Sequence, residues 1–321
     1  MILVTGGTGF IGVNIAQALL AAGEKVVLSA YGQRVFRPSF LEPAIADGRC
    51  VIAPLDAANP HDVLDVARTH AVTGVVHLVQ STGANSLAEE FRANLGGLAN
   101  VLEAARQLGA RRVCMASSIN VYDGLPGEVF AEDAPVPLGL DDAGFSGTIT
   151  SFKKMEEIFA GYYAARSGLE IISLRFGHVW GPVNNGAGVM ARIIRAAAAG
   201  EPGPFPAPGG DVDYAVDGRD YVYVKDVAWA VQRVMLAPRL RHKAYNIGSG
   251  GIVTNAMVAD AVRQTIPDAR LAFDPRPRPE RLILSFGMDI GRISAELGYR
   301  PRSLQDAVAD YIGWLRAGNP F

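Results

Sequence analysis

Cysteine is scarce in this chain: 321 residues contain two, Cys50 and Cys114. That leaves no disulfide framework. Both thiols fall beside predicted core strands, so they read as buried side chains rather than a bridge or metal pair, and no metal is expected. Net charge is equally sparse, 30 basic against 32 acidic residues for a formal −2. No basic footprint therefore points to nucleic acid or an anionic membrane. No apolar run approaches the ~20 residues of a membrane span. No charged leader or cleavage site precedes the first apolar strand, so the expectation is no signal peptide and a reduced, cytoplasmic protein.

What the chain does have is glycine placed with regularity at its start. Met1-Ile2-Leu3-Val4-Thr5-Gly6-Gly7-Thr8-Gly9-Phe10-Ile11-Gly12 is an apolar strand running into glycines at 6, 9 and 12. An apolar-periodic helix then spans 10–20. Gly6 suits the tight turn, Gly9 lets the backbone approach a pyrophosphate, and Gly12 lets the helix sit close on the strand. Free N–H groups of the first turn, at Phe10 and Ile11, then face the anion. A glycine-rich turn without a ligand is the plain alternative, but the strand before and the helix after favour a dinucleotide site.

Beyond that turn, β-branched runs alternate with helical periods. Strands are expected at 25–30, 50–53, 73–79, 111–116 and 170–174, and helices around 61–69, 86–108 and 150–166. Such alternation predicts an α/β fold, a doubly wound parallel Rossmann sheet with ligands outside the carboxyl ends of its strands. The rhythm loosens from 176, and 200–210 is rich in proline and glycine. The reading is a dinucleotide-binding domain over 1–175, with returns at about 219–250. A smaller C-terminal substrate-binding lobe covers 176–218 and 251–321, and the cleft between them takes a small-molecule substrate.

The opening Thr5-Gly6-Gly7-Thr8-Gly9-Phe10-Ile11-Gly12 resembles that of the extended short-chain dehydrogenases/reductases, the NAD-dependent epimerase/dehydratase family. Val75-Val76-His77-Leu78 is similar to its fourth-strand signature, and Asn94 with Gly97 and Asn100 to its next helix. Met115-Ala116-Ser117-Ser118-Ile119-Asn120-Val121-Tyr122 looks like its serine-bearing fifth strand. The stretches 174–182, 219–224, 245–250 and 297–301 follow in the family's order. The resemblance implies an NAD(P)-dependent epimerase, reductase or dehydrogenase acting on a sugar, nucleotide sugar or small hydroxy/keto compound.

For the cofactor, a carboxylate about 20 residues past the glycines usually holds the ribose hydroxyls, whereas an arginine admits a 2′-phosphate. Ala30 stands there, no acid follows before Glu42, and Arg34 and Arg37 lie on the next loop. They read either as phosphate donors or as solvated loop residues, and NADP is favoured slightly over NAD. Asp56 resembles the family's adenine-contacting aspartate, with a turn-forming role before Pro60 as the alternative. Leu78 and Asn94 complete the expected cofactor set.

At the catalytic centre the pattern breaks. The family pairs a tyrosine with a lysine four residues later, and sets a serine on the fifth strand against the reacting oxygen. Ser118 takes the serine position. Lys153 fits the lysine, because Glu157 then matches a family glutamate; Ile149 stands where the tyrosine belongs, or Thr150 if Lys154 is the lysine. Neither carries a proton near neutral pH. The replacement is sought among His178, Tyr122, Asp123 and the groups of the loop before Gly147, His178 reading equally as a structural histidine. Arg219 matches a phosphate-contacting arginine, and Arg278 lies where a second is expected. The alternative function is a nucleotide-binding sensor without turnover. The long loop over 123–147 is expected to border the cleft. Apolar faces on helices 86–108 and 150–166, with Ala160, Tyr163 and Ala164, suggest a homodimer as in resembling enzymes.

Overall fold

Short apolar runs dominate the first half of the chain, and in the computed structural model they become buried parallel strands. The structure describes residues 1–32, 37–82, 86–137, 147–183, 188–201, 214–274, 276 and 286–318. The chain runs β1 (Ile2–Thr5), α1 (Phe10–Ala21), β2 (Val26–Ala30), α2 (Glu42–Ala46), β3 (Cys50–Pro54), α3 (Pro60–Thr69) and β4 (Gly74–His77). It continues through α4 (Leu87–Phe91), a π-turn at Arg92–Gly96, α5 (Gly97–Gln107), β5 (Arg112–Ser118), β6 (Val129–Phe130), α6 (Thr148–Ser167) and β7 (Glu170–Phe176). Next come β8 (His178–Trp180), α7 (Val189–Ala198), β9 (Gly218–Arg219), β10 (Tyr221–Tyr223), α8 (Val224–Leu236) and β11 (Ala244–Ile247). The chain closes with β12 (Val253–Thr254), α9 (Asn255–Thr265), β13 (Gly287–Met288), α10 (Gly291–Leu297) and α11 (Leu304–Arg316).

Seven strands pair in parallel in the order β11-β7-β5-β4-β1-β2-β3. The chain starts in the middle, winds to one edge through β2 and β3, then crosses back so that β4 lies beside β1, with Val4 opposite Val76. That reversal opens a crevice at the carboxyl ends of β1 and β4, where open α/β sheets bind ligands. Both faces of the sheet are covered, which is why its strands read as unbroken apolar runs rather than alternating ones. Leu28, Ile172 and Leu174 pack with α1 and α8 on one face; Val27, Val75 and Val113 pack with α3, α5 and α6 on the other.

α7, α9 and α11 build a separate apolar cluster around Trp180, Tyr223 and Tyr311. Within 219–250, α8 and β11 pack on the main sheet, whereas β10 pairs with β8 and β9 with β12. Ile293 and Leu297 bring α10 back against the main cluster.

Two elements differ from the sequence reading. The helix expected over 86–108 is broken by the π-turn, which carries the fully buried Asn94. The sixth sheet strand runs two residues further, to Phe176, and the chain then pairs again as the β8–β10 ribbon, which apolar periodicity does not reveal at three residues a strand. Ala160, Tyr163 and Ala164 pack with the core against α5, and the exposed large apolar residues of α6 are Ile149, Ile158 and Tyr162. Cys50 and Cys114 are free and buried, and burial pushes their thiols up to about 11 and about 12. Among the described residues no helix is long and apolar enough to cross a membrane, and no metal-binding cluster is present.

Candidate active site

The glycine loop folds for steric reasons that the structure makes explicit. Gly6 has φ +68°, the left-handed region that side chains avoid. A Cβ on Gly12 would lie 2.5 Å from the carbonyl oxygens of Gly6 and Gly7, and one on Gly7 2.5 Å from that of Val4. The loop is tied to β2 by Ser29, whose hydroxyl accepts from the Gly6 amide at 2.8 Å. Gly9 is the N-cap of α1 and supplies no side-chain acceptor, so the N–H groups of Phe10, Ile11 and Gly12 have no capping partner from it.

Above this loop lies a cavity of ≈ 750 Å³ whose walls include Gly6, Gly9, Tyr31, Asp56, Leu78 and Gln80. It occupies the crevice between β1 and β4, long enough to run from the end of β2 to the start of the π-turn. A bare backbone cradle under free helical amides fits a diphosphate. Asp56 lines the cavity, and its Oδ1 accepts from the Ala58 amide at 2.9 Å in an Asx turn. Asn94 fixes the far wall, its Oδ1 accepting from the Ser81 amide (2.8 Å) and Gln80 Nε2 (3.1 Å). Arg37 is engaged by Glu42 through two hydrogen bonds of 2.7 and 3.0 Å. Arg34 and Arg278 lie outside the described residues, as does most of the loop around each.

β5 delivers Ser118 to the sheet's carboxyl end. Its hydroxyl donates to Asn120 Oδ1 at 3.0 Å and accepts from the Asn120 amide at 3.2 Å, while Asn120 Nδ2 reaches Thr150 Oγ1 at 3.4 Å. Ser118, Asn120 and Thr150 are thus brought together. Ile149 is 41% exposed and adds no polar group.

One turn along α6, Lys153 is buried and donates to Glu156 Oε2 at 2.7 Å. Burial raises the Glu156 carboxyl above its usual range, against the pull of Lys153. Below them His77, bonded to Thr5 Oγ1 at 2.7 Å, is pushed down to about 3 by burial and by the Lys153 charge. Tyr122 is placed elsewhere. Fully buried, its hydroxyl donates to Asn246 Oδ1 at 2.7 Å and accepts from Arg175 at 2.8 Å, and burial raises the phenol further.

His178 sits on β8 directly opposite Tyr221 of β10. Its Nε2 is buried with no partner among the described residues, and burial, helped by Arg219, pushes its pKa down to about 4. It is a neutral imidazole at pH 7. The adjacent Asp220 is wholly buried and receives three hydrogen bonds, from the amides of Ser249 (2.6 Å) and Met288 (2.9 Å) and the Ser249 hydroxyl (2.9 Å). It ties the β9–β10 corner to two other loops.

A sequence profile of the NAD dependent epimerase/dehydratase family matches residues 2–248. The chain belongs to this family. As a member it is an NAD(P)-dependent oxidoreductase or epimerase of the extended short-chain dehydrogenase/reductase type. A UDP-glucose 4-epimerase from Erwinia amylovora is 26% identical over 342 residues, covering 99% of this chain and 98% of that protein. A UDP-N-acetyl-alpha-D-glucosaminuronate decarboxylase from Bacillus cytotoxicus is 27% identical, covering 98% and 97%. The crystal structure of a Thermus thermophilus UDP-glucose 4-epimerase in complex with NAD superposes with a TM-score of 0.73, 28% identity and 98% coverage of both chains.

Three residues of this family member escaped the motif reading. Glu156 is hidden beside the motif glutamate, because adjacent helix positions look alike in sequence although they point apart. Gln80 and Asp220 sit on a loop and a strand corner, where no periodicity marks the side that faces the cavity or the core.

Proposed function

We propose that this enzyme binds a nicotinamide dinucleotide in the crevice between β1 and β4, NADP slightly ahead of NAD, and acts on a hydroxyl or ketone of a sugar or nucleotide sugar. The ≈ 750 Å³ cavity over the Gly6–Gly12 loop carries the reading. Gly6, Gly9 and the amides of Phe10, Ile11 and Gly12 would hold the diphosphate, and Asp56 the adenine end. The absence of a carboxylate at Ala30 and Tyr31 supports NADP, since no acid there would repel a 2′-phosphate. Family relatives named for UDP-sugar chemistry support a nucleotide-sugar substrate.

The bound dinucleotide would supply reversible hydride transfer. The chain's own part is orientation and charge. Ser118 presents a hydroxyl to the reacting oxygen, with Asn120 holding it and Thr150 holding Asn120. Lys153 places a positive charge at the end of the cleft. His178, neutral, accepts a hydrogen bond from a substrate hydroxyl through its unpartnered Nε2, and Arg219 beside it meets an anionic group. Tyr122, locked between Arg175 and Asn246, we assign to the frame.

Calorimetric titration with NAD and NADP, followed by turnover assays with UDP-sugars, tests the reading. Binding of NADP at least as tight as NAD, with turnover, is the expected result; no affinity for either would refute it. A second reading, a sensor that binds without turnover, draws support from the residues that stand where a proton carrier is sought. Ile149, Thr150 and a His178 depressed to about 4 include no group that titrates near pH 7. Dinucleotide binding with no turnover on any UDP-sugar would favour it.

We also assign the protein to the cytoplasm as a homodimer. Its exposed apolar residues Ile158 (56%) and Tyr162 (61%) on α6, with Leu87 and Phe91 on α4, would be covered by a second copy. Light scattering on the purified protein tests the dimer.

A further inference from the structure

Lys153 and Glu156 lie three residues apart on α6, so their side chains rise from one side of the helix. Nζ to Oε2 is 2.7 Å, and the two residues are 5% and 1% exposed. An ammonium offers three donors and a carboxylate two acceptor oxygens. Among the described residues Glu156 takes one of the Lys153 donors, and its own Oε1 is buried with no partner. A buried ion pair whose remaining hydrogen-bonding capacity goes unused costs stability, and an apolar pair of the same size would serve the fold as well. The anchoring of α6 to the sheet is already done by Glu157 and Arg175. The charge at 156 is therefore directed at Lys153, and the unused donors of Lys153 at something outside the protein.

We propose that Glu156 is a positioning residue for Lys153. Its carboxylate holds the ammonium aimed, so that the donors left open are offered to hydroxyls of the bound dinucleotide. The proposal rests on the dinucleotide reading above. In this chain, which has Ile149 in place of a tyrosine, the partner of the lysine comes from one turn later in the same helix. The other charged groups on the elements packed around α6 are engaged elsewhere or, like Arg92 of the π-turn, line the cavity. Glu157 is held by Arg175, Lys154 donates to the Asp123 carbonyl, Glu103 binds Arg106 and Tyr163, and His77 is neutral. Burial holds the Glu156 carboxyl above the usual range, so it takes up a proton while exposed carboxylates are still ionised, and the clamp opens as the pH falls.

Glu156→Gln keeps the shape and removes the charge. The expected result at pH 8 is dinucleotide affinity weaker on the order of tenfold. The wild type should lose affinity on acidification until it meets the variant, whose affinity stays flat, and Glu156→Asp should recover part of the loss. Wild-type affinity and an unaltered pH profile in Glu156→Gln would overturn the proposal. If the single variant folds poorly, the Lys153→Met/Glu156→Leu pair, apolar throughout, supplies a second arm. It should bind as weakly as Lys153→Met alone, and any further loss from the second substitution would show that Glu156 acts other than through Lys153, which also overturns it. A wild type with no affinity for either dinucleotide removes the underlying reading and the proposal together, whereas a silent Glu156→Gln removes the proposal alone.

Discussion

Arg175 grips Glu157 with two parallel hydrogen bonds, Nε to Oε1 at 2.9 Å and Nη2 to Oε2 at 2.6 Å, joining β7 to α6 across the end of β5. The Ser117 hydroxyl donates to the same Oε1 at 2.5 Å. This bidentate pair sets the rotation of α6, and with it the direction of Lys153 one turn earlier. Glu157→Leu leaves the buried guanidinium without its counter-charge. The expected loss is about 3–5 kcal/mol, read as a lower urea midpoint at unchanged slope.

Ile149 offers a gain-of-function test of the helix register. It stands four residues before Lys153 and is 41% exposed, so a larger ring meets no packed core. Ile149→Tyr should raise hydride-transfer turnover by about 100-fold, the low end of what a positioned acid/base supplies. Unchanged turnover in a variant that still binds dinucleotide would place the cleft off that helix face.

One buried and one half-buried histidine make stability pH-dependent in a defined direction. His77 and His178 have pKa values lowered to about 3 and about 4, whereas the unfolded chain protonates histidine near 6.5. Between about pH 6.5 and 4 the unfolded state binds protons that the native state refuses, so stability falls as pH falls. Each histidine contributes a slope of about 1.4 kcal/mol per pH unit. His178→Asn should lose stability less steeply than wild type by one such share. Parallel curves would mean that the ring is not held neutral.

The glycine loop predicts two opposite outcomes for one kind of substitution. Gly12→Ala puts a methyl 2.5 Å from two carbonyl oxygens, which should cost about 1–3 kcal/mol and abolish dinucleotide binding. Gly161→Ala, exposed in mid-α6 with nothing within 4 Å of the added methyl, should gain up to about 1 kcal/mol. Thermal melts with and without dinucleotide distinguish the two.

Much of the main sheet was legible because parallel strands buried on both faces must be apolar throughout, and glycine spacing marks the ligand turn. The predicted runs at 25–30, 50–53 and 111–116 lie within a few residues of Val26–Ala30, Cys50–Pro54 and Arg112–Ser118. The π-turn was not legible, because one extra residue in a helical turn leaves the apolar spacing nearly intact. Side-chain networks were least visible. Tyr122 stands beside Ser118 in the motif, yet it points into the core, because the 3₁₀ turn Ile119–Tyr122 rotates it away from the cleft. Glu156 and Asp220 gain their meaning from partners that lie on the same helix face or on remote loops.

The insertion at Arg92–Gly96 also constrains how this chain can change length. An α-helix closes a turn with about 3.6 residues and a π-turn takes one more around nearly the same turn, so removing one residue there would relax it into regular helix with α4 and α5 keeping their faces. The residue lost would come from the turn that carries Asn94, and the Gln80–Ser81 wall that Asn94 pins would lose its tie. Sequences descended from this one are therefore expected to vary in residue type along the segment while keeping its count.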